Sequence, residues 1–160
     1  MTSRAMRATT FNHVSVGARS LAESVNFYTD LFGMERVPSP VFRYPTAWLR
    51  VGDRELHLIE RDDRVPRSQH FALEVDDFEA VYVKAMALGI EDRETWGWHL
   101  HELPDGAVQL YVRDPADNLV EVDWPDVRTL DTSVVTDLRR LADEVPQDDD
   151  GARATLFLAP

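Results

Sequence analysis

The 160-residue chain contains no cysteine. Disulfides and thiolate metal sites are thereby excluded, and a metal would have to rely on nitrogen and oxygen ligands. No apolar run is long enough to cross a bilayer, so no membrane partner is expected. The N-terminal stretch MTSRAMRATT lacks the apolar core of a secretory signal, and a cytoplasmic location is the default expectation. Positive charge is also in short supply: 17 Lys and Arg stand against 29 Asp and Glu, a net charge of −12. A phosphate backbone needs clustered cations, so no nucleic acid is expected as a partner. Part of the acidity is local, in Gln147-Asp148-Asp149-Asp150, which reads as solvated chain. The remainder, 44% hydrophobic and 29% charged, suits one well-buried domain or two small modules sharing a core.

What the chain does contain is an internal repeat. FNHVSVGARSLAESVNFYTDLFGMERV opens the first copy and QHFALEVDDFEAVYVKAMALGIEDRE the second. Each begins with a His at the head of an alternating segment, continues into a helical segment and reaches a Gly, 20 residues on in one copy and 19 in the other. Ser20 with Glu23, and Asp76 with Glu79, read as capping boxes. Leu21, Val25, Tyr28 and Phe32 recur at helical spacing, as do Phe78, Val81, Tyr82 and Ala85. Gly33 and Gly89 stand where a helix end calls for a left-handed residue. Strands are expected over 34–38, 46–51 and 54–60 in the first copy and over 91–96, 107–113 and 118–124 in the second. Pro104-Asp105-Gly106 and Asp114–Asn118 read as turns.

Each copy is therefore a βαβββ unit. The fold class is α+β, with module one over 10–60 and module two over 69–124. The two are expected to pack into one curved, cleft-shaped mixed sheet. After Trp124-Pro125 the pattern stops. Residues 125–160 are expected to form an extension with a helix over 133–144 and a flexible acidic tail.

Strand alternation sorts side chains by face. In the first strand Val14 and Val16 belong to the helix-covered face, while Phe11, His13 and Ser15 share the other. The same parity sets His57 opposite Leu56 and Leu58, His70 opposite Phe71 and Leu73, and Glu121 opposite Val120 and Val122. Four strands thus each offer one candidate ligand on the uncovered face, and the repeat pairs His13 with His70 and His57 with Glu121. Three imidazoles and a carboxylate suit Zn, Ni, Fe or Mn rather than Ca or Mg. On the same face Tyr111 and Gln109 should reach the cleft. Trp48, Trp96 and Trp98 are candidates for an aromatic lining, and Arg50 shares the Trp48 face. The stretch from Trp96 to Pro104 is the candidate substrate-shaping loop.

The segments HVSVGARSLAESVNFYTDLFGME, ELHLIE, QHFALEVDD and LYVRDPADNLVEV resemble the vicinal-oxygen-chelate superfamily, which includes glyoxalase I, methylmalonyl-CoA epimerase, extradiol dioxygenases and fosfomycin or bleomycin resistance proteins. The resemblance covers residues 10–124. It implies one divalent metal, with ligands mapping onto His13, His57, His70 and Glu121, a small-molecule substrate and a homodimer. One departure is Asp117 where the family's DPxGN turn has Gly, so Asp or Asn must take the left-handed region there.

Three functions follow as expectations. The first is glyoxalase-like lyase or isomerase chemistry: a metal polarises a carbonyl, Glu121 or His57 acts as base, and an enediolate is stabilised. The second is Fe(II)-dependent extradiol cleavage, which His101…Tyr111…Asp114-Pro115…Glu121 approaches. There His101 lies one residue too far upstream, and His99 or His101 would be the acid–base residue. The third is a non-catalytic binding or resistance protein with an aromatic cleft.

Overall fold

The computed structural model describes residues 7–158. Module one runs β1 (His13–Ala18), α1 (Leu21–Phe32), β2 (Glu35–Val37), β3 (Thr46–Val51) and β4 (Arg54–Glu60). Module two runs β5 (His70–Glu74), α2 (Phe78–Leu88), β6 (Leu100–Glu102), β7 (Val108–Arg113) and β8 (Leu119–Trp124), followed by β9 (Arg139–Arg140) and α3 (Leu141–Glu144). The sheets have strand orders β1-β4-β3-β2 and β5-β8-β7-β6-β9. In each the first strand pairs in parallel with the last, and the remaining pairs of the module are antiparallel. The repeat seen in sequence is thus a repeat of topology.

The helices form where their caps allow. Ser20 Oγ accepts from Glu23 N–H at 3.4 Å, and Gly33 closes α1 at φ 63° with its N–H directed to Thr29 O. In α2 the capping side chain is Asp77, not Asp76: its carboxylate accepts from Ala80 N–H at 2.9 Å. Tyr28 and Leu31 from α1, Phe78, Val81 and Ala85 from α2, and Leu49, Leu56, Leu58, Leu110, Val120 and Val122 from the strands form one continuous buried core. Both modules therefore share an apolar layer between helices and sheets.

The expected pair of βαβββ modules forms two mixed sheets, of four and five strands. Among the described residues no ladder joins β1 to β5. The modules are held instead by the shared core and by a buried polar joint. The Tyr28 hydroxyl donates to Asp114 Oδ2 at 2.8 Å, and Asn118 Nδ2 donates to Gly17 O at 2.8 Å.

Two further expectations are corrected. The strand over 91–96 is reduced to a single bridge between Glu91 and Val112. Asp92 Oδ1 accepts from Glu94 N–H and Thr95 N–H, which turns the chain there, and Gly97 takes φ 78°. The paired strand, β6, lies farther on, inside the stretch read as a loop. The helix over 133–144 shrinks to Leu141–Glu144, because Arg139 and Arg140 are extended and pair with β6. An edge strand exposes unpaired backbone groups, and β9 covers that edge.

Asp117 does take the left-handed conformation, at φ 69°, the one described non-glycine residue to do so. A side chain there costs about 1–2 kcal/mol relative to glycine unless it hydrogen-bonds locally. Asp117→Gly is expected to leave stability unchanged or raise it by up to about 1 kcal/mol, and Asp117→Val to lower it by about 1–2 kcal/mol, in urea unfolding. Equal midpoints for the two variants would remove backbone strain from this account.

Candidate metal centre and cleft

The residues singled out by strand parity fall into two groups. In module one, His57 lies opposite Trp48 across β3–β4 and opposite Ser15 across β1–β4. The rings of His13, His57 and Trp48 form a continuous stack, with centroids 4.1 Å apart for the first pair and 4.2 Å for the second. In module two, His70 Nε2 stands 3.1 Å from Glu121 Oε2. Tyr111 lies opposite Glu121 across β7–β8 and meets the His70 ring edge-on at 5.9 Å. Gln109 Nε2 donates to Glu121 Oε1. His13 and His70 both line a cavity of about 450 Å³ between the modules, together with Phe11, Glu55 and Phe71. All four candidate ligands do not converge on one point: no group of three or more His, Asp or Glu among the described residues is placed to hold a metal ion.

Donor chemistry nevertheless fits a divalent ion at His13, His70 and Glu121. His13 Nδ1 is 2.9 Å from Asn12 Oδ1, and His70 Nδ1 is 2.9 Å from Ser68 O. Both partners are acceptors, so each Nδ1 carries a proton; His70 Nε2 then faces the Glu121 carboxylate, and no side-chain acceptor lies against His13 Nε2 among the described contacts. Metal-binding histidines commonly have this arrangement, with the second nitrogen tied to an oxygen acceptor. His70 Nε2 and Glu121 Oε2 face each other at 3.1 Å, two donor atoms that a divalent ion would join.

The rest of the cleft face is acidic. Asp123, two residues beyond Glu121 and buried, is pushed up to about 8 by burial, then by the hydrogen bond and charge of Glu121 and the charge of Glu74. Tyr111 is raised by burial and by Glu121, so its hydroxyl stays protonated. Asp123 and Glu55 were not picked out in sequence. Each carried a signal, lying two residues from a candidate ligand on the same strand face.

The other candidates divide. Trp96, 45% exposed, packs near His70 and Tyr111 at about 6 Å and belongs to the cleft. Phe11 is 84% exposed at the cavity mouth. Arg50 lies instead in a larger cavity, about 960 Å³, between the ends of α1 and α2. Trp98 is sandwiched between Arg93 and Arg139, and its Nε1 donates to Asp137 O at 2.7 Å. It anchors the C-terminal extension. His99 and His101 are likewise buried against that extension, nearest to Asp137 at 3.8 Å and Glu144 at 3.9 Å. In the β6–β7 register His101 stands opposite Gln109 and His99 O accepts from Tyr111 N–H, one strand away from the His70–Glu121 pair.

The family model for the Glyoxalase/Bleomycin resistance protein/Dioxygenase superfamily matches residues 10–122. The chain belongs to that superfamily. Solved structures share its fold at low identity. Lactoylglutathione lyase from Agrobacterium tumefaciens is 24% identical, with a TM-score of 0.57, over 78% of this chain and 100% of that one. The fosfomycin resistance protein FosX from Listeria monocytogenes, in complex with Mn(II) and 1S,2S-dihydroxypropylphosphonic acid, is 14% identical, with a TM-score of 0.59, over 76% and 96%. Oxidase ChaP-H2 is 21% identical, with a TM-score of 0.60, over 73% and 94%. No curated protein sequence matched. The superfamily match ends at residue 122, so the extension that buries Trp98, His99 and His101 lies outside it.

Burial, reinforced by Arg93, holds the His99 imidazole below the usual histidine range, with Asp137 and Glu91 opposing; burial likewise lowers His101, against the charge of Glu144. The unfolded chain takes up these protons near pH 6.5 and the folded chain only at lower pH, so stability falls as pH drops below that value. Urea unfolding at pH 7.5 and pH 5.5 is expected to show a loss at the lower pH that shrinks in a His99→Gln, His101→Gln double variant. An unchanged loss would assign the pH dependence to other groups.

Proposed function

We propose that this protein is a divalent-metal-dependent enzyme of the glyoxalase type, acting on a small molecule as a lyase or isomerase, with the ion held by His13, His70 and Glu121. The observation that carries this reading is the shared commitment of His13 and His70: each has Nδ1 tied to an oxygen acceptor, and His70 Nε2 faces Glu121 Oε2 at 3.1 Å. A bound divalent ion supplies Lewis-acid polarisation of a substrate carbonyl. The chain supplies the rest. Glu121 is the carboxylate on the cleft face positioned to take a proton adjacent to that carbonyl, and Gln109 orients its second oxygen. Phe11 and Trp96 exclude water around a bound ligand.

A second reading is supported by Tyr111. A protonated tyrosine edge-on to His70 and opposite Glu121 suits a site where two His and one carboxylate hold Fe(II) with open positions for O₂ and a catechol. Metal content separates the two. Nickel or zinc with turnover of hemithioacetals or acyl-CoA epimers supports the first. Iron with O₂-dependent yellow products from catechols supports the second and ends the first.

His13→Ala, His70→Ala and Glu121→Gln are each expected to abolish stoichiometric metal binding and activity, as read by elemental analysis and turnover. Retention of one metal per chain in both His variants would refute the site. A homodimer is part of the proposal, supported by the outer edges of β1 and β5, which carry no strand partner among the described residues. Sedimentation at micromolar concentration is expected to give twice the chain mass, and a monomer would remove this part.

A further inference from the structure

His57 differs from the other two cleft histidines in which nitrogen is committed. Its Nε2 lies 2.7 Å from Glu55 Oε2. A carboxylate accepts, so Nε2 carries the proton and Nδ1 is the bare nitrogen. In His13 and His70 the commitment is reversed. The His57 ring is also held on both faces, by Trp48 at 4.2 Å and 5° and by His13 at 4.1 Å and 17°. Trp48 is its cross-strand partner, and Glu55 lies two residues earlier on the same strand face. The clamp is therefore built into β3 and β4. His57 is 8% exposed, whereas His13 is an exposed residue of an edge strand.

The stack has a geometric consequence. An imidazole binds a metal along an in-plane lone pair, at about 2 Å from nitrogen. The planes of His13 and His57, tilted by only 17° at 4.1 Å, meet on the order of 10 Å or more from the rings, far beyond that bond length. No ion lies in both planes at bonding distance. Of the two rings, His57 is the buried one, fixed by the half-buried Trp48 and by the Glu55 carboxylate.

Building on the reading of a metal at His13, His70 and Glu121, we infer that His57 is not a fourth ligand, and that Glu55 and Trp48 are positioning residues that hold it as an Nε2–H imidazole with Nδ1 left as a hydrogen-bond acceptor. A four-ligand site would close one coordination position to substrate. The clamp keeps that position open.

Nitrogen-15 NMR of the histidine rings in the full chain, with Zn²⁺ as the probe, tests this. In the metal-free protein His57 is expected to show a protonated Nε2 and a bare Nδ1, and His13 and His70 a protonated Nδ1. On zinc addition the Nε2 signals of His13 and His70 are expected to shift while the His57 pattern persists. Glu55→Ala is expected to mix the His57 tautomers and change zinc affinity by less than about twofold. If His57 were a ligand, loss of its carboxylate partner would weaken binding about 10–100-fold. A zinc-shifted His57 nitrogen, or tenfold weaker binding in Glu55→Ala, overturns the inference. If the wild-type chain bound no zinc, the metal reading would fail alone. The clamp would still be judged on the metal-free tautomers, and a protonated Nδ1 at His57 would end it.

Discussion

The placement of the two modules rests on one buried carboxylate. Asp114 Oδ1 accepts from the N–H groups of Ala116 and Asn118, and Oδ2 accepts from the Tyr28 hydroxyl and Asn118 Nδ2. A buried charge is tolerated only when its lone pairs are satisfied, and here four donors serve two oxygens. The same Asn118 amide reaches Gly17 O at the end of β1. One polar node therefore ties the module-one helix, the module-one edge strand and the β7–β8 turn. Tyr28 is held neutral by burial and by Asp114, which keeps its hydroxyl a donor. Since His13 lies at the start of β1 and Glu121 on β8, the cleft inherits its shape from this joint. The left-handed Asp117 belongs to the same turn, and its strain is tolerated where Asp114 fixes the backbone on either side.

Within the cleft the two modules use one parity rule for different ends. In module two the uncovered face carries His70, Glu121, Tyr111 and Gln109, a polar set in which Gln109 donates to Glu121 and His70 faces the same carboxyl at 3.1 Å. In module one the corresponding face carries a stack of three rings closed by Glu55. The repeat makes His57 the counterpart of Glu121, but Trp48 stands opposite His57 and Tyr111 opposite Glu121. A flat indole captures an imidazole face to face, whereas the Glu121 carboxyl has no such platform and turns to His70 and Gln109. The pseudo-symmetry of the backbone is thereby broken by the side chains on the neighbouring strand.

The extension beyond the matched region completes module two. Its segment at 139–140 takes the free edge of β6, Val135 enters the core, and Trp98 holds the chain through Asp137 O and two flanking arginines. His99 and His101 consequently sit under the extension with little access to water. Their neutral forms are favoured by that cover. Two histidines within the candidate substrate-shaping stretch thus contribute to stability under the extension, while their strand register sets them beside Tyr111 and Gln109.

The repeat, the βαβββ order, the helix-ending glycines and the left-handed Asp117 were legible in the sequence, because each depends on interactions within a few residues or on a fixed period. Strand parity likewise set His13, His57, His70 and Glu121 on uncovered faces, since alternation admits no other choice once the apolar face is known. The strand at β6 and the short α3 were not legible. Asp92 redirects the chain through local hydrogen bonds that compete with strand pairing, and β9 is extended only because a sheet edge is there to receive it. Nor did alternation disclose which nitrogen each histidine commits. The acceptors are sequence neighbours, Asn12 Oδ1 for His13, Ser68 O for His70 and Glu55 for His57, but alternation does not specify which ring nitrogen each of them meets. The sequence by itself determined which side chains face the cleft. Tertiary structure alone decided which of them pair, because stacking and hydrogen bonding act across strands that only the fold makes neighbours.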